Sequence, residues 1–346
     1  MKMFSRTGIA ATGVGSLPHT DPKKACDLVL RYCPDLPYAP TLPNRGLAES
    51  IVIADSEHLP GRVFDGERLT VNRGGGLETA MEQVYMDFLT REFSGYGWSP
   101  RYASGFPEMI SRPLMGIPVL KAHVTGPVTF GMQVIDQDRR PILYDPQFAD
   151  ILGKLTALHA RWCEDMMAKT GVTETLVILD EPYLSSLGSP VIPIGADVVR
   201  ELWGDVAGMV EGGLGVHCCA NTDWAFLLSL EPSLLSFDAF RNEREFLLYM
   251  DDIVSYMEKG GTVAWGIVPS DWETFATVTS GDLLARFLSI RERVIEQTGV
   301  ELFDERSIVT PSCGIRFADE SGAEEIMATT SWIALQTRAA GSQELL

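Results

Sequence analysis

The chain has 346 residues, 45% of them hydrophobic, enough to bury a sizeable core as two average domains or one large α/β barrel. Asp and Glu number 47 against 28 Lys and Arg, and a net charge of −19 disfavours nucleic acid and anionic membrane surfaces as partners. Six cysteines in this length do not make a disulfide scaffold. The N-terminal MKMFSRTGIAATGVGSLPH lacks a continuous apolar run, and no stretch nears the ~18 apolar residues of a membrane span, so the expected compartment is the cytoplasm.

Taken in chain order, short β-like runs recur at 9–17, 36–42, 118–126, 175–182, 214–220, 234–240, 262–268 and 307–313. Between the second and third, residues 60–117 break the rhythm. GRVFDGERLTVNRGGG reads there as a hairpin with a Gly-rich turn, followed by a helical ETAMEQVYMDFLTREF and a Pro- and Gly-rich loop. We expect this stretch to be an insertion over the barrel mouth. The clearest helix is 146–169, where Phe148, Ile151, Leu152, Leu155, Leu158, Trp162 and Met166 keep a period near 3.6. A second stripe, Leu284, Phe287, Leu288, Val294 and Ile295, is interrupted by Arg291.

Strands alternating with helices predict parallel βα units, and eight of them predict a single-domain α/β fold, a (β/α)8 TIM barrel spanning 1–346, over a doubly wound open sheet. Polar residues favour the barrel. Ser16, Asp180, His217, Cys219, Asp238 and Cys313 fall at or near the C-terminal ends of separate runs, with His217 and Cys219 sharing one, and barrel enzymes place their chemistry at those ends.

In a strand, residues i and i+2 point to one face and i+1 to the other, so His217 and Cys219 can share a metal while Cys218 faces away. Zinc favours tetrahedral nitrogen and sulfur ligation with a carboxylate as an allowed fourth, which makes His217, Cys219, Asp238 and Cys313 a candidate zinc site. Against this, free cysteines are often simply buried, and an Asp at a strand end often caps a helix.

These motifs resemble those of the cobalamin-independent methionine synthases, specifically their C-terminal catalytic barrel. VGSLP near the start, VTGPVTF at 124–130, ILDEPYL at 178–184 and VTPSCGIRFAD at 309–319 occur in that family's order, and the similarity runs from Gly13 to about Arg338. The resemblance implies zinc held by His217, Cys219 and Cys313, with Asp238 where the family usually has Glu. It implies further that Gly15 and Ser16 receive the acceptor's carboxylate, that Asp180 binds its ammonium group, and that the Gly126-Pro127 turn shapes the barrel mouth. The implied activity is transfer of a methyl group from a methyl-folate or a methyl-corrinoid protein to homocysteine or another small thiol.

Two features depart from the family's pattern. The second run, APTLPNRGLAES, has no acid before Glu49 where the family carries a Glu that fixes homocysteine, and 346 residues leave no room for the N-terminal barrel of the full-size enzymes. The length is closer to the archaeal-type core enzymes and the related corrinoid methyltransferases.

Other residues carry narrower expectations. His123 is a candidate proton shuttle or donor, with a satisfied core histidine as the alternative. Asp180 and Glu181 are adjacent and should point oppositely, so one of these two candidate substrate ligands faces the pocket and the other serves as a salt bridge or cap. Trp265 and Tyr183 are candidates for the mouth or for packing. Competing functions are a uroporphyrinogen-decarboxylase-like enzyme, which would leave His217, Cys219 and Cys313 without a task, and a non-catalytic zinc- or corrinoid-binding protein.

Overall fold

The computed structural model of the chain describes residues 8–189 and 194–344. The first seven residues of the N-terminal segment MKMFSRTGIAATGVGSLPH lie outside the described residues. The strands are β1 (Ala10–Ala11), β2 (Arg62–Phe64), β3 (Leu69–Val71), β4 (Val119–Thr125), β5 (Ile135–Asp136), β6 (Glu174–Asp180), β7 (Gly213–Cys218), β8 (Leu234–Phe237), β9 (Thr262–Val268) and β10 (Ser307–Pro311). Seven of them form one curled parallel sheet in the order β1-β10-β9-β8-β7-β6-β4. Helices surround it, giving the TIM-like α/β barrel that the alternation of runs predicts.

The run 36–42 differs from its expectation as a full strand. It makes only isolated parallel bridges, Tyr38 to Lys121 and Ser16 to Thr41, yet these lie between β4 and the end of β1 and so fill the eighth place. The Ala39 N–H donates to the Lys121 carbonyl at 2.8 Å, and the Thr41 N–H donates to the Gly15 carbonyl at 3.0 Å. Pro37 and Pro40 have no N–H to give, so a continuous ladder cannot form through them.

Alternation sorts the side chains into an inner and an outer set. Leu120, Ala122 and Val124 of β4 join the large core between strands and helices, whereas Val119 belongs to a separate inner cluster with Leu36, Leu176, Ile178, Leu234, Ala264 and Ile308. The same rule sends Val216 and Cys218 of β7 and Leu235 and Phe237 of β8 outward. Lys121, His123 and Thr125 share the face of Val119 and climb the barrel axis above the inner cluster.

The helix Pro146–Ala168 covers this sheet for the reasons its sequence suggests. Asp145 accepts the Gln147 N–H at 2.9 Å as its cap, proline occupies the first turn, and Phe148, Ile151, Leu152, Leu155 and Leu158 are buried. In the helix Ser280–Thr298, Thr279 and Asp282 form a capping box, and Arg291 does not break the buried stripe because it pairs with Asp304 at 3.4 Å. Among the described residues no helix is long and apolar enough to cross a membrane.

Residues 61–110 supply the hairpin expected from GRVFDGERLTVNRGGG. β2 and β3 pair antiparallel with Arg62 opposite Val71, and β3 continues in parallel onto β5, which follows β4 in the chain. The hairpin is thereby held against the C-terminal end of the barrel. Helices Leu77–Thr90 and Gly105–Ile110 complete the excursion.

Two predictions follow from the packing. A Cβ on Gly266 of β9 would overlap the Phe237 carbonyl oxygen and crowd the Ser312 Cα, both backbone atoms that cannot swing aside. Gly266→Ala is expected to cost about 1–3 kcal/mol in denaturant unfolding, the range for overpacked sites; an unchanged midpoint would show that the strands can separate there.

Lys121 is a fully buried cation whose Nζ donates to the Gly13 carbonyl at 2.5 Å and lies 5.3 Å from the centre of the Tyr38 ring. Burial lowers its pKa to about 7, against smaller upward pulls from Cys33 and Asp180. The folded state therefore binds fewer protons than the unfolded chain between that value and the ordinary lysine range, and stability from this group rises with pH across that window. Lys121→Met should raise the thermal midpoint most near pH 6, with the gain shrinking as the pH approaches 10. An equal gain at both ends would remove the buried charge as its cause.

Candidate metal centre and cavity

Parallel register brings four polar residues side by side. Thr125 of β4 is aligned with Asp180 of β6, Asp180 with His217 of β7, and His217 with Ser236 of β8. All four face the barrel interior, and Cys219, one step beyond the end of β7, falls on the same side as His217. Cys313 arrives from the loop after β10.

The ligand atoms of His217, Cys219 and Cys313 lie within 4.8 Å of one another. His217 is buried, and its Nδ1 sits 2.9 Å from the Ser236 hydroxyl, while Nε2 is buried with no hydrogen-bond partner among the described residues. A buried ring nitrogen left bare beside two thiols fits a metal ion, because an unmet polar atom in the interior is costly and a metal would satisfy it. Ser236 would then fix the tautomer from behind. The contact with Cys313, and next the neighbouring His217, pull the Cys219 thiol well down, while the same contact holds the Cys313 thiol up. Cys218 points outward, donates to the Ala220 carbonyl at 3.6 Å, and is pushed up to about 12 by burial.

Asp238, expected as the fourth ligand, is not brought into this group. Its Oδ1 accepts the Arg241 N–H at 2.9 Å and its Oδ2 pairs with the Arg241 guanidinium at 3.0 Å, so it caps the helix Ala239–Phe246. A helix begins immediately after the strand, and Asp at that junction satisfies its first free N–H groups.

Asp180 and Glu181 do point oppositely. Asp180 faces inward and its Oδ1 lies 2.8 Å from His123 Nδ1. Burial by itself would raise the Asp180 carboxyl, but His123, His217 and Lys121 outweigh it and hold the group below its ordinary value. Burial lowers the His123 pKa. A neutral imidazole beside a carboxylate must donate from Nδ1, which leaves His123 Nε2 as a bare acceptor, and that atom too is buried without a partner among the described residues.

Glu181 turns to the other side and accepts the N–H groups of Val128 at 2.9 Å and Thr129 at 2.7 Å, with the Thr129 hydroxyl at 2.6 Å. It thus caps the helix Pro127–Gln133 rather than facing the thiols. Burial pushes it up to about 7 despite these donors. Gly126 is required beside it, since a Cβ there would overlap the Glu181 side chain.

These inward groups open into a cavity of about 680 Å³ whose lining includes Ser16, Asp180, His217, Cys219, Cys313 and Arg316. Ser16 Oγ accepts from the Thr41 hydroxyl at 3.1 Å, and Gly15 is held by its carbonyl bond to Thr41. Glu67, Arg68 and Leu69 from the hairpin form part of the same wall. Trp265 lies on the outer face, buried, with Nε1 bonded to the Ser307 hydroxyl at 3.0 Å, and Tyr183 packs against the outer core.

Sequence reading missed Lys121, Arg68 and the aromatic residues of 98–106. Lys121 left a trace, because a lysine at an inward position of the alternating Val119, Lys121, His123, Thr125 series is anomalous. The others sit in the irregular stretch, where no periodicity reports a direction.

No family model matches the chain, and no curated protein matches it. Solved structures do share its fold. A B12-independent methionine synthase from Shewanella sp. W3-18-1, in complex with selenomethionine, has a TM-score of 0.58 and 14% identity over 96% of this chain and 98% of that one. A putative vitamin-B12 independent methionine synthase from Listeria monocytogenes gives 0.54 and 12% over 96% and 98%. A methyltransferase from Methanosarcina mazei gives 0.58 and 12% over 98% and 95%. At these identities the likeness is one of fold, and the resemblance carried by the motifs holds at that level.

The trio predicts uptake of one divalent metal ion per chain. Titration with Co(II) should produce a thiolate-to-metal charge-transfer band that is lost in Cys219→Ser and Cys313→Ser and kept in Asp238→Asn. Loss of the band in Asp238→Asn would return Asp238 to the ligand set.

Proposed function

We propose that the chain is a zinc-dependent methyltransferase that moves a methyl group onto a small thiol, homocysteine or another, from a methyl-folate or methyl-corrinoid donor. The observation that carries this reading is the convergence of a buried, unpartnered imidazole nitrogen with two thiols at the open end of the barrel. His217, Cys219 and Cys313 would hold zinc, and three protein ligands leave a position for the substrate sulfur. Zinc bound there would lower the pKa of that sulfur, ordinarily near ~8.5 for a thiol, and hold it as a thiolate.

The rest is done by the chain's own groups. Ser236 keeps the His217 ring in place, so that its bare nitrogen stays aimed at the two thiols. Ser16 and the Gly15 backbone, fixed by Thr41, form an edge suited to the acceptor's carboxylate. Asp180, held ionised, fixes the tautomer of His123, whose Nε2 can accept a proton or orient a donor on the acceptor. Glu67–Leu69 of the hairpin close one side of the cavity and exclude water from the reacting atoms.

The test is elemental analysis followed by methyl transfer. The protein should carry one zinc per chain and methylate at least one of homocysteine, coenzyme M and simple mercaptans from methylcobalamin or methyl-tetrahydrofolate. His123→Ala should lower turnover by about 10²-fold, the lower range for a positioned acid or base. Zinc-loaded protein that methylates no thiol from either donor would overturn the reading.

A further inference from the structure

The inserted stretch carries a helix, Leu77–Thr90, that is apolar on two sides. Val84 is buried and Leu77, Met81 and Phe88 pack against the core, which settles the inner side. A helix that turns once in ~3.6 residues then carries Tyr85, Met86 and Leu89 on a face turned away from it, and they are 43%, 52% and 57% exposed. Single exposed apolar side chains need no explanation, whereas a cluster on one helical face marks a contact surface.

That face borders a groove of about 510 Å³ between this helix and the first turns of the helix Pro146–Ala168, with Met81, Tyr85, Met86 and Ile151 as its apolar lining. Every charged residue in the lining is an acid: Glu78, Glu82 and Asp150. Glu78 and Glu82 are exposed and make no ion pair or side-chain hydrogen bond among the described residues. The nearby Lys154 is buried, with Nζ 2.5 Å from Asp150, 3.4 Å from Asp205 and 5.4 Å from the centre of the Tyr85 ring. Its charge is thereby neutralised, and the groove presents a negative potential outward.

We infer that this groove docks an amphipathic helix of a partner protein, one whose apolar side chains lie along Tyr85, Met86 and Leu89 and whose lysines or arginines meet Glu78 and Glu82. Glu78, Glu82 and Met86 form one i,i+4 row and Met81, Tyr85 and Leu89 the row beside it, so a helix laid along them meets acids at one end and apolar side chains at the other. Methionine adapts its shape to whatever faces it. Charge decides between occupants: the same face of a second copy, in a chain of net charge −19, would set acids against acids, and an anionic membrane would be repelled, whereas a basic helix is attracted. The inference stands apart from the methyl-transfer reading, since none of these residues lines the cavity beside the thiols.

The probe is a fluorescein-labelled peptide of leucine and lysine whose leucines recur at helical spacing, and its control has the same composition in alternating order. Fluorescence anisotropy with the full chain should show the helical peptide binding saturably, one per chain, and the control at least about tenfold more weakly. Met86→Ser with Leu89→Ser should weaken the helical peptide about tenfold, and Glu78→Gln with Glu82→Gln at least about threefold. All four side chains are exposed, so the fold should survive both pairs. Asp251→Asn with Asp252→Asn, which removes as much charge from another helix, should leave binding unchanged. Equal binding of the two peptides, or equal weakening by the two acid pairs, would reduce the effect to unspecific attraction and overturn the inference. A dimer of the protein alone, seen by sedimentation and lost in Met86→Ser with Leu89→Ser, would also overturn it by giving the face to a second copy.

Discussion

Side-chain alternation along parallel strands in fixed register is the constraint on which the rest of this site depends. Because His217 aligns with Asp180 on one side and Ser236 on the other, an inward residue on any of the three strands meets its neighbour across one strand spacing, about 4.8 Å. Cys219 joins His217 inside only because it lies two residues further on, and Cys218 is sent into the outer core by the same rule. A slip of one residue in β7 would exchange Cys218 for His217 and Cys219 and dismantle the trio in a single step. The sheet that fixes the fold is therefore also the device that measures out the ligand positions.

That arrangement places several ionisable groups in the interior at once: Lys121, His123, Asp180 and His217 climb the axis above the apolar inner cluster. Burial disfavours the charged form of each, and their neighbours decide which charges survive. Asp180 is held below its ordinary value because His123, His217 and Lys121 outweigh its desolvation, whereas burial lowers His123 against the opposite pull of Asp180, and the hydrogen bond between the two orients the ring. His123 Nε2 and His217 Nε2 are both buried without a hydrogen-bond partner among the described residues. Native interiors rarely tolerate such atoms without a reason. His217 lines the large cavity beside the thiols, and His123 is hydrogen-bonded to Asp180, which lines that cavity too.

Much of this was legible in the sequence, and the parts that were not share a physical cause. The ends of β6, β7 and β10 were readable because an apolar alternating run gives way to His, Cys or Asp at a known phase, and phase predicts direction. The run 36–42 kept its place in the barrel but lost its ladder, because Pro37 and Pro40 cannot donate whatever the neighbouring strands offer. Asp238 and Glu181 show a different limit. A carboxylate at a strand end is attractive to a metal or substrate and equally to the N-terminus of the helix that follows, and in both cases the helix took it. Composition cannot separate these uses, since the deciding quantity is where the next helix begins in space.

The residues packed behind Asp180 and His123 were illegible for a further reason. Trp98, Ala103 and Phe106 lie in a stretch without periodicity, and only tertiary folding brings them over His123, Thr125 and Asp180. Asp55 supplies the joint: its carboxylate holds the Thr125 N–H at the end of β4 while also binding Trp98 and His159. Trp98 and His159 are thus tied through Asp55 to the strand that carries His123. In a barrel the strand ends are shared by every ligand the fold might accept, because their positions are fixed by closure. Closure does not fix the hairpin or the 98–106 loop, yet both border the strand ends: Glu67, Arg68 and Leu69 line the large cavity together with Cys219 and Cys313, and Trp98 reaches the end of β4 through Asp55.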